Sequence, residues 1–318
     1  MKAVLFYNYG TPEVLQVENI SKPSPKENEL LVRIYATAVN SGDVRLRKAD
    51  PFAVRFMLGL TKPKVNILGG VFSGVVESVG KNVSKFKPGD EIFGSTNMKF
   101  GAYAEYKCFD ENETIALKPS ALKHEQAAVL PFGGTTALHF LNKASLQKGQ
   151  KILIYGASGS VGTAAVQLAK YLGAEVTAVC STSNIELVKS LGADHVFDYT
   201  QGDILDADVK FDVIYDTVNK LQVSKCYKKL AKKGKLILGA AGGKEMLAGS
   251  FLSLFNSKKS YFGITKQSSK EIALLANLFE NGILKPVIDK TFSLDKISEA
   301  HRYAEKGHKK GNVAISIS

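Results

Sequence analysis

One stretch constrains the fold of this chain more than any other: Lys151–Gly173, KILIYGASGSVGTAAVQLAKYLG. A short aliphatic run (Ile152, Leu153, Ile154) enters a turn built on Gly156, Gly159 and Gly162. Val161, Ala164, Ala165, Leu168 and Leu172 then recur at the spacing of one helical face. Strand, tight glycine turn and amphipathic helix in immediate succession open a dinucleotide-binding βαβ unit. Glycines let backbone N–H groups approach a pyrophosphate, and the helix N-terminus turns partial positive charge toward it. The turn reads Ala157-Ser158-Gly159-Ser160-Val161-Gly162, with alanine at the first glycine position and an additional Gly156 ahead of it.

The next hundred residues extend the pattern. A strand over Glu175–Cys180 comes first, and strand-like runs at Phe211–Tyr215 and Lys235–Gly239 alternate with helical ones. That alternation predicts a doubly wound parallel sheet. The end of the second strand bears on the cofactor. An NAD site usually places a carboxylate about 20 residues past the fingerprint, on the ribose 2′-hydroxyl. Here the segment reads Cys180-Ser181-Thr182-Ser183-Asn184, with no acid before Glu186. Hydroxyls and an amide suit a 2′-phosphate, so NADP is favoured over NAD, although no Arg or Lys lies in the run.

A chain of 318 residues allows two domains, and 45% hydrophobic with 23% charged residues is ordinary globular composition. No apolar run reaches the roughly 18 residues of a membrane span, and MKAVLFYNYG reads as a first strand, not a signal peptide. A cytoplasmic protein is the expectation. Cys108, Cys180 and Cys226 are odd in number and far apart. They suggest buried or half-buried thiols, with no disulfide framework and no structural zinc site. The formal net charge of +12 comes from dispersed lysine pairs not interleaved with aromatics, which favours a solvated surface over a nucleic-acid face.

Residues 1 to about 125 differ in texture. Short β runs (Lys2–Phe6, Leu30–Ala38, Gly74–Val79, Glu91–Phe93, Ala102–Tyr106) alternate with Pro and Gly signals, predicting an irregular, mostly β domain. Phe52, Phe56 and Met57 sit in an apolar and basic insertion and are expected to pack, or to line a pocket mouth. HEQAAVLPFGGTTALHFL reads as helical, broken at Pro131 and Gly133-Gly134. Beyond the glycine-turn region come a helix over Lys270–Asn281, a strand over Val287–Phe292, a helix near Asp295 and a strand over Val313–Ile317. This tail suggests that the chain returns to complete its first domain. The expected division is therefore 1–124 with 284–318, and 125–283.

Together these segments resemble the medium-chain dehydrogenase/reductase superfamily, and within it the zinc-free quinone oxidoreductase branch. The markers run in order along nearly the whole chain: Gly10–Leu15, Val39-Asn40-Ser41-Gly42-Asp43, Gly74–Gly80, Lys87-Pro88-Gly89-Asp90, Gly101–Tyr106, Ala127–Pro131, Thr135-Thr136-Ala137, Gly156–Gly162 and Leu191–His195. The resemblance implies a Rossmann domain beside a GroES-like one, and a homodimer. Zinc-dependent members carry Cys where this chain has Asn40, His-Glu where it has Gly70-Val71, and a four-cysteine lobe after Gly89-Asp90 that is absent here. Zinc needs converging thiolate, imidazole or carboxylate donors, so no metal is expected. One departure concerns the finer subfamily: the branch often has an acidic residue at or next to Val71, and Gly69–Gly74 has none.

The implied reaction is hydride transfer from NADPH to a quinone or an α,β-unsaturated carbonyl, in which positioning supplies much of the rate and a donor or water meets the developing enolate. Ser158, Gly159, Ser160 and Val161 are expected to meet the pyrophosphate through backbone. Ser181, Thr182 and Asn184 are expected at the 2′-phosphate. Asn40 is expected near the nicotinamide, the alternative being a turn residue that bonds its own backbone. Thr136 is expected near the nicotinamide amide, and Asp43 orienting the Asn40 loop. Tyr199 is expected at the adenosine phosphate end or in the core, and Lys310 as a phosphate counter-charge or a surface lysine. His139, His195 and His301 are expected to be packed. Two alternatives remain: a trans-enoyl reductase of the same fold, and an NADPH-binding protein with an RNA-binding or interaction role.

Overall fold

Two units divide the chain: residues 1–132, 267–280 and 286–318 form one, residues 133–266 and 281–285 the other. The computed structural model describes residues 1–318 except Ala53 and, within its helix, the side chain of Met57.

The first unit opens with β1 (Lys2–Leu5) and β2 (Gln16–Asn19), an antiparallel pair. β3 (Glu29–Val39) is followed by α1 (Ser41–Lys48), α2 (Val54–Leu58), β4 (Val71–Val79), β5 (Glu91–Ser95), β6 (Tyr106–Asp110) and β7 (Ile115–Leu117). The chain then passes into the second unit along α3 (His124–Lys143). β3 pairs antiparallel with β4 and β6, and its residues are buried on both faces apart from exposed Arg33 and half-buried Glu29 and Tyr35, which accounts for its nearly continuous apolar run. Val4, Phe6, Leu30, Val32, Ile34, Phe72, Ile92 and Phe109 gather in this unit's core, with the Phe72 and Phe109 rings stacked at 4.1 Å.

The second unit holds β8 (Lys151–Tyr155), α4 (Ser160–Tyr171), β9 (Glu175–Cys180), α5 (Ile185–Ser190), β10 (His195–Asp198), β11 (Phe211–Asp216), α6 (Val223–Lys229), β12 (Leu230–Leu238), α7 (Gly243–Leu254) and β13 (Lys259–Tyr261). Its sheet runs β10-β9-β8-β11-β12-β13, every pairing parallel. The doubly wound reading holds, and the order reverses between β8 and β11, where such sheets bind ligands. Ile152, Leu153 and Ile154 are all buried, as both faces of a parallel sheet require.

The tail then supplies α8 (Ser269–Glu280), β14 (Ile288–Ser293), α9 (Ile297–Glu305) and β15 (Asn312–Ser316). β15 pairs antiparallel with β3 and β14 parallel with β15, so the tail completes the first unit. Helix α8 groups with that unit as well, although it lies before residue 284. Ser269 Oγ donates to the Glu113 carbonyl at 2.7 Å and Thr114 Oγ1 to the Gln267 carbonyl at 3.3 Å, tying the helix to β7.

Several local expectations are corrected. Helix α3 is continuous through Pro131 and the Gly133-Gly134 pair. Buried Ala127, Val129, Leu130, Ala137, Phe140 and Leu141 line it, and tertiary packing outweighs the local propensity of two breakers. Gly133 is there for space: a Cβ on it would lie 2.5 Å from the Ser160 carbonyl oxygen. Only Tyr106 of the expected Ala102–Tyr106 strand is strand. Ala102 and Tyr103 follow the positive-φ Gly101, buried and bonded through the Tyr103 N–H to the Leu68 carbonyl, and Ala104 makes an isolated antiparallel bridge to Ala3 of β1. Phe52 and Phe56 are exposed and meet edge to face at 6.1 Å, so neither is packed in a core; the Met57 side chain lies outside the described residues. His301 is buried and His139 half-buried, but His195 is exposed and pairs with Glu175 at 3.0 Å. Cys180 and Cys226 are buried and Cys108 half-buried, all three free.

Lysines occupy the N-terminal end of the second unit's sheet and fold back onto it. Lys210 Nζ donates to the Lys228 carbonyl and Lys229 Nζ to the Ala207 carbonyl, each at 2.5 Å. Lys235 reaches the Ala144 carbonyl, Lys258 that of Tyr227, and Lys259 that of Ser253. Among the described residues no helix is long and apolar enough to cross a membrane.

Candidate active site

Each glycine of the β8–α4 turn has its own physical reason. Gly156 adopts φ 78°, and a Cβ there would meet Thr217 Oγ1 and Val218 Cγ1 at 2.7 Å. At Gly162 a Cβ would lie 2.2 Å from the Gly156 carbonyl oxygen, so the first turn of α4 packs directly on the loop. Gly159 differs. It caps α4 at φ −82° and ψ 179°, a conformation any residue adopts, and the nearest atom to a Cβ is 3.5 Å away. Neither backbone nor packing asks for glycine at Gly159. An anion approaching the N–H groups at the helix start does ask for it, and this is where a pyrophosphate fits.

Beside the turn, Asn184 links the two halves of the site. It is buried, and its Nδ2 donates to Ser158 Oγ at 3.2 Å and to Ser181 Oγ at 3.0 Å. Ser158 accepts from Asn184 and so keeps its own proton for a ligand oxygen. The Asn184 Oδ1 atom is buried without a partner. An unmet acceptor in a buried position is costly unless water or a ligand hydroxyl reaches it. Open space at Gly159 and this unmet acceptor both fit a dinucleotide.

On the far side of Ser181 the structure brings in a residue that the order of the chain conceals. Asp198 ends β10, in register with Cys180 at the end of β9. Its Oδ2 accepts from Thr182 Oγ1 at 2.5 Å, and its Oδ1 from the Thr200 N–H at 2.9 Å and Thr200 Oγ1 at 2.8 Å. The Thr182 hydroxyl, with smaller help from Thr200, holds the Asp198 carboxyl below its usual range. Tyr199 is 41% exposed and stacks on Tyr155 with centroids 6.2 Å apart, so it is not a core tyrosine.

Two further residues, neither of them marked by a motif, support the turn from β11. Buried Asp216 accepts from the Val218, Lys220 and Leu221 N–H groups at 3.0, 2.9 and 2.8 Å. The loop it shapes carries Thr217, whose hydroxyl donates to the Tyr155 carbonyl at 2.8 Å. Thr136 is buried in α3, one turn past Gly133. Since Gly133 abuts Ser160, that turn of α3 lies against the start of α4.

The other candidates belong to the first unit. Asn40 is 5% exposed and caps α1; its N–H donates to Asp43 Oδ2 at 3.0 Å, while its Nδ2 is buried with no partner. The side-chain donor is therefore not spent on its own turn. Asp43 also accepts the Gly69 N–H at 3.1 Å, and burial pushes its carboxyl up to about 6. Tyr103, buried beside it, bonds His301 Nε2 at 3.1 Å. Burial, with the Arg47 charge nearby, drives the His301 imidazole down to about 3. Arg47 itself is buried, donates to the Gly10 carbonyl at 2.8 Å and pairs with Glu305. Lys310 is exposed, and its N–H donates to Asp289 Oδ2 at 3.0 Å.

Comparison with known proteins places these features in context. Residues 26–120 match the alcohol dehydrogenase GroES-like domain and residues 191–315 the zinc-binding dehydrogenase domain. A 2-methylene-furan-3-one reductase of Solanum lycopersicum is 35% identical, over 99% of this chain and 79% of its own. An Arabidopsis thaliana chloroplastic NADPH-dependent alkenal/one oxidoreductase is 31% identical, with the same coverage of both chains. The solved quinone oxidoreductase of Coxiella burnetii superposes with a TM-score of 0.90 at 28% identity, over 100% of this chain and 99% of its own.

Proposed function

The chain belongs to the medium-chain dehydrogenase/reductase superfamily, in its quinone oxidoreductase branch, and is an oxidoreductase; from that premise we propose that it reduces a quinone or an α,β-unsaturated carbonyl with NADPH and without a metal. A reduced nicotinamide supplies the hydride when bound. The chain's own residues bind, orient and polarise. The Ser158–Val161 backbone and the Ser158 hydroxyl receive the pyrophosphate, Thr136 the nicotinamide end, and Ser181, Asn184 and Tyr199 the adenosine end. Asn40 offers its amide Nδ2 to the substrate oxygen on which negative charge develops, and Asp43 fixes the loop that carries it. Gly159, glycine for no reason internal to the protein, is the observation that carries the cofactor reading.

NADPH is supported by the Ser181 hydroxyl after β9, which accepts from Asn184 and keeps its own proton, and by the alkenal/one relative, which is named as NADPH-dependent. Metal independence is supported by the donor set. An amide stands at Asn40, Gly70 and Val71 offer no ligand atom, and among the described residues no three His, Cys, Asp or Glu side chains gather to hold an ion. A homodimer is supported by the open edge at β13 and by the exposed Leu247, Phe251, Leu254 and Phe255 nearby in the chain.

The test is NADPH and NADH oxidation, side by side, with 9,10-phenanthrenequinone and a simple alkenal in EDTA-containing buffer. Faster oxidation of NADPH, unchanged by EDTA, is expected. Preference for NADH refutes the cofactor reading, EDTA sensitivity refutes the metal reading, and inertness toward both acceptors refutes the substrate class. Light scattering on the eluting protein reads the dimer.

A further inference from the structure

We infer that Asp198 is the residue that sets the choice between NADPH and NADH. The inference rests on the reading of the Gly159 and Ser181 neighbourhood as the dinucleotide site. A hydroxyl has one proton to give. That of Thr182 goes to Asp198 Oδ2 and that of Thr200 to Asp198 Oδ1. With both protons so engaged, Thr182 and Thr200 turn only lone pairs outward. Lone pairs welcome a donor such as the ribose 2′-hydroxyl of NADH, and they oppose the acceptor oxygens of a 2′-phosphate.

The charge acts in the same direction. Asp198 is held ionised a hydrogen bond away from Thr182, so a dianionic phosphate arriving there meets a negative group. Ser158 and Ser181, on the other side, accept from Asn184 Nδ2 and so have hydroxyl protons to turn toward a phosphate. The site is thus divided, with donors toward Ser158 and a carboxylate toward Thr200. The chain keeps its preference for NADPH small, and Asp198 is what keeps it small. It acts through Thr182 and Thr200, as a positioning and specificity residue.

The experiment measures dissociation constants of NADPH and NADH by calorimetry for the full-length wild type, Asp198→Asn, Thr182→Ala and the double variant, at low and at high salt. Asp198→Asn keeps the shape of the side chain, removes the charge and releases a hydroxyl proton. Its NADPH-to-NADH affinity ratio is expected to rise about tenfold at low salt and by less at high salt, since screening weakens the charge component. Thr182→Ala is expected to remove most of that gain in the Asp198→Asn background, and to change the ratio less in the wild-type background. A ratio that stays within twofold of wild type in Asp198→Asn overturns the inference. So does a gain that survives Thr182→Ala and is indifferent to salt. If the wild type binds neither dinucleotide, the proposed function fails, and the role of Asp198 fails with it.

Discussion

The contrast between Gly159 and Gly162 yields two opposite expectations from one chemical change, the addition of a methyl group. In Gly162→Ala the new carbon would sit 2.2 Å from the Gly156 carbonyl oxygen and 2.7 Å from the Ala157 Cα. Both are backbone atoms, so the helix must move. Overpacking of this kind costs about 1–3 kcal/mol, and because no flexible side chain can yield, the upper part of that range applies. Alanine's better helix propensity returns about 1 kcal/mol. A net loss of about 2 kcal/mol lowers Tm by about 4–8 °C in a unit of this size. In Gly159→Ala the backbone already suits alanine, which stabilises by about 0.4–1 kcal/mol through the unfolded chain. The weaker N-cap offsets that by about the same amount. Its Tm is therefore expected within about 4 °C of wild type. Its NADPH affinity, read by calorimetry, is expected to fall at least about tenfold, roughly 1.4 kcal/mol, because the methyl stands where the phosphate approaches. Wild-type affinity in Gly159→Ala would refute the reasoning, and so would a loss of Tm as large as that of Gly162→Ala.

Other substitutions probe the remaining parts. Asn40→Ala is expected to lower kcat with an enone by about 100-fold, as loss of one oxyanion donor does, with the NADPH dissociation constant little changed and stability lower by about 1 kcal/mol because Asn40 caps α1; a kcat within threefold of wild type counts against the assignment. Asp216→Ala leaves the Val218, Lys220 and Leu221 N–H groups without their acceptor, and a loss of about 3 kcal/mol by urea unfolding is expected. The buried pair Asp43 and His301 makes opposed contributions to acid stability. His301 titrates near 3 when folded and near 6.5 when unfolded, so its share of stability is lost as pH falls between those values. Asp43 titrates near 6 when folded and 3.8 as a free group, so its share is present at low pH and lost as pH rises through 6. Each slope is about 1.4 kcal/mol per pH unit, and the two cancel between pH 4 and 6. Asp43→Asn therefore loses stability relative to wild type progressively as pH falls from 6 to 4; parallel profiles would show that the carboxyl does not titrate as the fold requires.

The repeating parts of this fold were legible in the sequence, because periodicity and the glycine turn are local. β9 occupies Glu175–Cys180 as expected, and the tail returns onto β3. Local signals misled where tertiary packing decides. Pro131 and Gly133-Gly134 look like breaks until the neighbour that Gly133 must admit, Ser160, is known. Tyr199 reads equally well as core or surface, since a single aromatic after a strand has no period. Asp198 illustrates a different gap. It lies 16 residues after Thr182 in sequence, and only the parallel pairing of β9 and β10 brings it alongside. A carboxylate at the end of the next strand is a place to look when the usual acid after the fingerprint is missing.

The lysines at the lower end of the second unit's sheet carry a practical lesson for handling the protein. A sequence pI near 9.3 invites recoding of lysines to glutamate to improve solubility. Yet Lys210, Lys229, Lys235, Lys258 and Lys259 each cover a backbone carbonyl with their ammonium groups, three of them in the last turns of α6 and α7. Glutamate there would set a carboxylate against a carbonyl oxygen, and acetylation would take away the charge that strengthens the bond. The acidifying changes belong instead at Lys232 and Lys233, which are exposed in the irregular first half of β12. Surface charge in this protein is partly mortar, and only the part that is not can be exchanged freely.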